Sequence, residues 1–408
     1  MTAVREGPLK APFPWFGGKG RVADLVWARL GDVQNYVEPF AGSLATLLRR
    51  PAAHLRRAGR RVETVNDANH YLVNFWRAVA ADPEAVARHA EWPVTEADLH
   101  ARHNWLLHSA PARAWRERMS ADPDCWDAKV AGWWVWGQSC WIGAGWCFEA
   151  GPKAGKDAQK IRPRLDHGRG VNAAADGGSD LHKKLPIISG GGRGVNAEAP
   201  GMRRPIPHLG GGMGVTNAVR KPIPELAGGR GAVGKAARGD RLLEWMAALS
   251  ERLRGVRVCY GGWDRVCDSD STMTGHGITG VFLDPPYPAR RADTGEASRD
   301  GHVYATDAAG DLDRVRDGVL AWCLKWGPDP RARVAVCGYE GDGYEPLAAA
   351  GWAEHAWEAT GGYGNQRRGE DGRAAGKELN ANAKRERIWF SPACKTPPKG
   401  PTLFDPGW

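Results

Sequence analysis

Apolar and polar positions fall into short blocks along the first eighty residues. An apolar run at about Asn35–Val37 predicts a strand, followed by a turn of small residues, E-P-F-A-G-S at 38–43, and a helix over Leu44–Arg50. A second run, R-R-V-E-T-V-N, predicts a strand that ends at Asn66-Asp67, and H-Y-L-V-N-F-W-R-A-V-A predicts the next helix. Strand, glycine turn, helix, strand, helix is the signature of a doubly wound parallel α/β sheet. The same alternation returns late in the chain. Leu242, Leu243, Trp245, Met246, Leu249 and Leu253 fall at helical spacing behind Asp240, a residue suited to an N-cap. Strands V-R-V-C-Y and G-V-F-L, helix D-L-D-R-V-R-D-G-V-L-A-W-C-L-K-W, and strands R-V-A-V-C-G-Y and R-E-R-I-W-F-S-P follow. The sheet is therefore expected in two parts, about 10–80 and 240–392.

The intervening chain is of another kind. Residues 75–150 read as helical and hold ten of the twenty tryptophans, so a Trp-rich helical subdomain is expected over 81–150. Residues 151–239 repeat loosely a basic residue, a proline, an aliphatic residue and a Gly-rich turn, with spacing too uneven for a solenoid. That stretch carries 16 Lys/Arg against 6 Asp/Glu, a net of +10 in a chain whose total is +9. The remainder is nearly neutral, so the basic character suggests one local polyanion contact. Residues 393–408 are Pro/Lys-rich and are expected to be a tail.

Composition excludes several classes. The eight cysteines (125, 140, 147, 259, 267, 323, 337 and 394) form no CxxC pair, which argues against a zinc ribbon and for buried thiols in a reducing cytoplasm. No signal-type apolar segment opens the chain. Val130–Phe148 is uncharged and nearly long enough to span a bilayer, but four glycines, Gln138 and Ser139 interrupt it, and it reads as a buried segment.

The stretch G-V-F-L-D-P-P-Y carries the most specific chemistry. Its strand delivers Asp284 to the carboxyl edge of the sheet, where open α/β folds bind ligands. Pro285 and Pro286 stiffen the turn, and the ring of Pro286 confines Pro285 to extended geometry. The Asp284 carboxylate and the Pro285 carbonyl, about 3–4 Å apart, are two acceptors suited to one exocyclic amine. Tyr287 offers a face on which a flat ring can stack. An isolated D-P-P-Y is equally compatible with a rigid strand end, and its meaning depends on the other motifs.

Those motifs occupy similar positions. Glu38, Pro39, Phe40, Ala41, Gly42 and Ser43 follow a strand and open a helix, letting a ligand approach the backbone. Asp67 ends the next strand, where an acid can accept from a ribose, or alternatively cap the helix behind it. Trp15-Phe16-Gly17-Gly18-Lys19 is not a P-loop, because Phe13 stands where a glycine is required and Gly20 replaces Ser/Thr. A lysine beside glycines and aromatics still suits a nucleoside-like ligand with a carboxylate.

In this order, P-W-F-G-G-K, E-P-F-A-G-S, N-D and D-P-P-Y resemble the D12 class of DNA adenine-N6 methyltransferases, the Dam-like family, with the motif order of its alpha group. The resemblance covers about 10–80 and 240–392, and the Gly-rich insertion is similar to that of phage and prophage members. It implies a Rossmann-like catalytic domain, S-adenosylmethionine as cofactor and a flipped-out adenine as target. Trp15, Phe16, Gly18 and Lys19 would line the cofactor site, Glu38–Ser43 its amino-acid end, Asp67 its ribose, and Trp263 and Asp264 its adenine. Asp284, Pro285, Pro286 and Tyr287 would form the catalytic turn. Leu44 departs from the family, which often has glycine there.

The expected partner is double-stranded DNA, with no membrane and a monomer or weak dimer. Arg162, Arg164, Arg193, Arg203, Arg204 and Arg230 of the insertion are candidate phosphate contacts. The alternatives are a solvated linker there and sequence reading by residues 85–150. An RNA adenine target, a cytosine-N4 target and a catalytically silent DNA-binding protein stay open as other readings. Ser in place of Asp284 is the commoner choice for cytosine.

Overall fold

In the computed structural model the expected apolar runs become the centre of one sheet. The structure describes residues 9–15, 18–56, 61–141, 146–147, 235–288, 294–295, 311–357 and 384–396. The strands are β1 (Asn35–Glu38), β2 (Val62–Asp67), β3 (Val256–Tyr260), β4 (Thr279–Leu283), β5 (Ala332–Tyr339), β6 (Ala353–Ala356) and β7 (Glu386–Phe390). Their order across the sheet is 3-2-1-4-5-7-6. Strands β1 to β5 pair in parallel, and β7 enters antiparallel between β5 and β6. This mixed α/β sheet is consistent with a Rossmann-like methyltransferase fold.

Alternating side chains explain why both faces are covered. Tyr36, Phe282, Ala335, Cys337, Ile388 and Phe390 point into one apolar core, while Val37, Val281, Leu283, Val334, Val336 and Trp389 point into the other. The first core is closed by helices α1 (Ala23–Leu30), α2 (Ala45–Leu48), α4 (His70–Ala81), α5 (Pro83–Ala90), α6 (Glu96–His108), α7 (Ala110–Ala121), α8 (Ala128–Cys140) and α9 (Lys235–Leu253), and α3 (Ala52–Arg56) lies beside α2 in the chain. The second is closed by α10 (Asp270–Thr274), α11 (Asp311–Trp326) and α12 (Pro346–Ala349). Early and late parts of the chain are also joined by charge: Arg252 and Arg50 both pair with Glu63, at 2.8 and 3.0 Å.

The Trp-rich helices α5–α8 share one continuous apolar core with the sheet. Glycines 132 and 137 lie inside α8, where they admit close packing: a Cβ at Gly137 would meet the Trp146 ring at 1.8 Å. Among the described residues no helix is long and apolar enough to cross a membrane. Helix α9 begins at Lys235, so Asp240 lies inside it and is not its N-cap. The helix expected over Leu44–Arg50 is only Ala45–Leu48, because Leu44 takes a left-handed conformation (φ 54°) and turns the chain. Cys394 and Lys395, at the start of the expected tail over 393–408, both touch the rest of the fold: Cys394 Sγ contacts the Val334 carbonyl at 3.4 Å, while Lys395 N donates to Arg29 O at 2.7 Å.

Candidate active site

The sheet reverses direction of winding between β1 and β4, and the carboxyl ends of these strands are where an open α/β sheet forms its ligand crevice. The E-P-F-A-G-S turn leaves β1 there and the D-P-P-Y turn leaves β4 there. Lys19 reaches the second of these turns, its Nζ lying 3.0 Å from Asp284 Oδ1. The same ammonium stands 5.0 Å from the centre of the Tyr287 ring and 5.8 Å from that of Trp357. Lys19 is 3% exposed. Burial acts to lower its pKa, and the Asp284 and Glu386 carboxylates outweigh it and hold it above the ordinary lysine range. Asp284 is raised by burial, against the pull of Lys19.

The glycine turn is clamped from three sides. Gly42 N donates to Asp67 Oδ2 at 3.0 Å, and Gly42 O accepts from Trp76 Nε1 at 3.0 Å. The Trp15 indole covers the face where a side chain would sit. Trp15 packs edge-on against Phe13 and tilted against Trp134 of α8. Asp67 uses its other oxygen to accept from Asn69 N at 2.8 Å. The N-cap of α4 is Asn69, which accepts from Tyr71 N and Leu72 N, so Asp67 tethers the glycine turn and does not cap the helix.

On the other side of the crevice Phe40 and Trp263 lie nearly parallel, 25° apart with centroids at 5.9 Å. Asp264 beside them is exposed and opens a short 3-10 turn. Asn66, missed in the sequence, fastens the two loops together. Its Nδ2 donates to Pro39 O at 3.1 Å and Gly261 O at 2.9 Å, while its Oδ1 is buried without a partner among the described residues. Ala41 N in turn donates to Asn66 O at 2.9 Å.

Glu38, the last residue of β1, is buried. Tyr36 Oη donates to its Oε2 at 2.9 Å. Burial pushes its pKa up to about 8, with Tyr36 pulling it down and the Asp284 charge adding to the rise. A carboxyl held protonated only in the folded state makes stability fall as pH rises from about 4.5 to about 8. Glu38→Gln should flatten that slope and leave the protein more stable than wild type at pH 8, as read by urea unfolding at pH 5 and pH 8.

Among the expected site residues, the structure thus brings together Lys19 with Asp284 and Tyr287, Trp15 and Asp67 with Gly42, and Phe40 with Trp263. Residues 15–104 match the model of the D12 class N6 adenine-specific DNA methyltransferase family. No curated protein matches the chain. The D12 class match supports DNA methyltransferase activity, and it runs through Trp15, Lys19, the glycine turn and Asp67. The D-P-P-Y turn at 284–287 lies beyond the matched stretch, and it follows β4, the sheet neighbour of β1.

Phe16 and the insertion arginines Arg162, Arg164, Arg193, Arg203, Arg204 and Arg230 lie outside the described residues. Tyr287 is more enclosed than expected. It is 5% exposed, packs edge-on against Tyr339 at 4.5 Å and donates its hydroxyl to Glu386 Oε2 at 2.9 Å. Glu386 was not found from the sequence. Its one signal is an acid opening the strand E-R-I-W-F. Among the described residues no group of three or more His, Cys, Asp or Glu could hold a metal ion.

The donor set fits S-adenosylmethionine. Asp284 and Glu386 set two carboxyl groups near one ammonium, and their charge suits a cationic sulfonium. Phe40 and Trp263 offer near-parallel rings for a nucleobase, and the unpaired Asn66 Oδ1 offers an acceptor to it.

Proposed function

We propose that the protein is an S-adenosylmethionine-dependent methyltransferase acting on the N6 amine of an adenine flipped out of duplex DNA. The observation that carries this reading is the Lys19–Asp284 contact just past the carboxyl end of β4, which sets the P-W-F-G-G-K motif against D-P-P-Y. When bound, S-adenosylmethionine supplies an electrophilic methyl group on sulfur. Glu38 and the glycine turn hold its amino-acid end, Asp67 its ribose, and Phe40 with Trp263 its purine.

Adenine N6 is a poor nucleophile, because its lone pair is delocalised into the ring. Asp284 and the Pro285 carbonyl accept its two hydrogens and favour a localised, more tetrahedral lone pair. Burial raises the Asp284 pKa, which makes the carboxylate a better acceptor for the proton that is lost. Lys19 already displays the two contacts such an amine needs, a hydrogen bond to Asp284 and a place above the Tyr287 ring. It must withdraw when the base enters. Extruding the base costs a few kcal/mol, which stacking at Tyr287 and binding elsewhere offset. Proximity supplies the remaining acceleration.

The test is transfer of tritiated methyl from S-adenosylmethionine to unmethylated duplex DNA, followed by digestion to nucleosides. Label in N6-methyladenine is expected. Label in cytosine, label acquired only from RNA, or none at all with folded protein would overturn the reading.

A further inference from the structure

Glu386 opens β7, opposite Tyr339 in the antiparallel register with β5. Its backbone is held on the other side too, where its carbonyl accepts from Trp357 N at 3.2 Å. The side chain is therefore carried on a rigid element, 5% exposed, and faces Tyr287. It takes no part in the family motifs. Its carboxylate accepts the Tyr287 hydroxyl at 2.9 Å and lies within electrostatic reach of both Lys19 and Asp284.

The Tyr287 hydroxyl stands between two acids. It also lies within hydrogen-bonding reach of Asp284, whose pKa it lowers. A phenol has one hydrogen to give. Whichever carboxylate takes it satisfies a lone pair, and an Asp284 that takes it has less acceptor capacity for an incoming amine. The geometry points to Glu386 as a positioning residue that draws the Tyr287 hydrogen away from Asp284 and leaves that carboxylate open to the substrate amine. The same bond fixes the ring plane of Tyr287 between Tyr339 and Lys19. This role rests on the methyltransfer reading of the crevice.

Removing the acceptor should turn the hydroxyl toward Asp284. In Glu386→Ala, kcat for methyl transfer should fall about thirtyfold with KM for DNA changed less than about threefold, the size of one buried hydrogen bond lost at the reacting centre. Glu386→Gln keeps a carbonyl oxygen for the phenol and should return to within about fivefold of wild type. The decisive arm is Tyr287→Phe, which keeps the ring and deletes the hydroxyl. Added to Glu386→Ala it should restore activity toward the Tyr287→Phe level, so that the double variant outperforms the Glu386 single one. A residue that only supports β7 would instead show losses that multiply. Should Glu386→Ala not fold, Glu386→Met fills the volume without an acceptor and carries the same cycle.

A readout independent of turnover separates this role from the activity itself. With 13C-labelled tyrosine, the Tyr287 Cζ resonance, assigned by its loss in Tyr287→Phe, should move in Glu386→Ala and much less in Glu386→Gln. Wild-type protein that transfers no methyl defeats the methyltransferase reading, and the resonance then stands alone as evidence on the phenol's partner. An unmoved Tyr287 resonance, multiplicative losses, or wild-type kcat in a folded Glu386→Ala would each overturn the assignment.

Discussion

Replacing Asp284 with alanine is expected to lower methyl transfer by at least about a thousandfold, because one side chain supplies both the amine's hydrogen-bond acceptor and the route for its proton. Affinity for S-adenosylmethionine, measured by calorimetry, should change far less, since the glycine turn, Asp67 and the Phe40–Trp263 pair remain. The substitution also strands a buried ammonium. Breaking a buried ion pair typically costs about 3–5 kcal/mol, and the Asp284 side chain, 22% exposed, places the loss at the lower end of that range. Glu386 remains near Lys19 and offsets part of it. Thermal melting beside the kinetic assay separates the two effects: an unfolded variant loses binding and turnover together. Asp284→Asn serves as the control, because it keeps one oxygen acceptor and lacks the charge. Wild-type turnover in a folded Asp284→Ala would remove this residue from the reaction.

The second large effect is expected at Gly42. Its φ of 47° lies in the left-handed region, and a Cβ there would meet Trp15 Nε1 at 2.7 Å and Cδ1 at 3.0 Å. Backbone strain alone does not decide the outcome. Leu44, two residues on, has a φ of 54° and is fully buried, so its core packing offsets the strain. Gly42→Ala gains no such packing and displaces an indole wedged between Phe13 and Trp134. Conformational strain of about 1–2 kcal/mol and overpacking of about 1–3 kcal/mol should together lower stability by roughly 2–4 kcal/mol. Movement of Trp15 and of the Gly42 N–H that Asp67 holds should weaken cofactor binding by about tenfold or more, as titration calorimetry would read, if that pairing shapes the pocket. Unchanged affinity would mean that the turn borders the ligand without gripping it.

The D-P-P-Y turn and the glycine turn were legible because each follows a buried strand and announces a special backbone within a few residues. Their meeting was legible too, since strands of one parallel sheet share a carboxyl edge. What escaped was long-range. Glu386 lies 99 residues from the tyrosine it binds, at the head of a strand whose apolar run hides it. Asn66 reads as half of an N-D pair, and nothing local reveals that its amide reaches across 195 residues to Gly261. Strand β6 is exposed throughout and has no hydrophobic alternation, so only pairing with β7 makes it a strand. Helix α1 does carry apolar positions at 23, 26, 27 and 30, a readable pattern that the neighbouring turn motifs overshadowed.

The interleaved sheet also governs how the molecule can be made. Strand β2 finds its outer neighbour β3 only after about 190 further residues have been synthesised, and β1 waits longer still for β4. At ordinary rates of about 5–20 residues per second that delay is on the order of ten to forty seconds. Until then two nascent strands have bare edges, so a chain cut short before residue 256 would carry unpaired strand edges that invite aggregation.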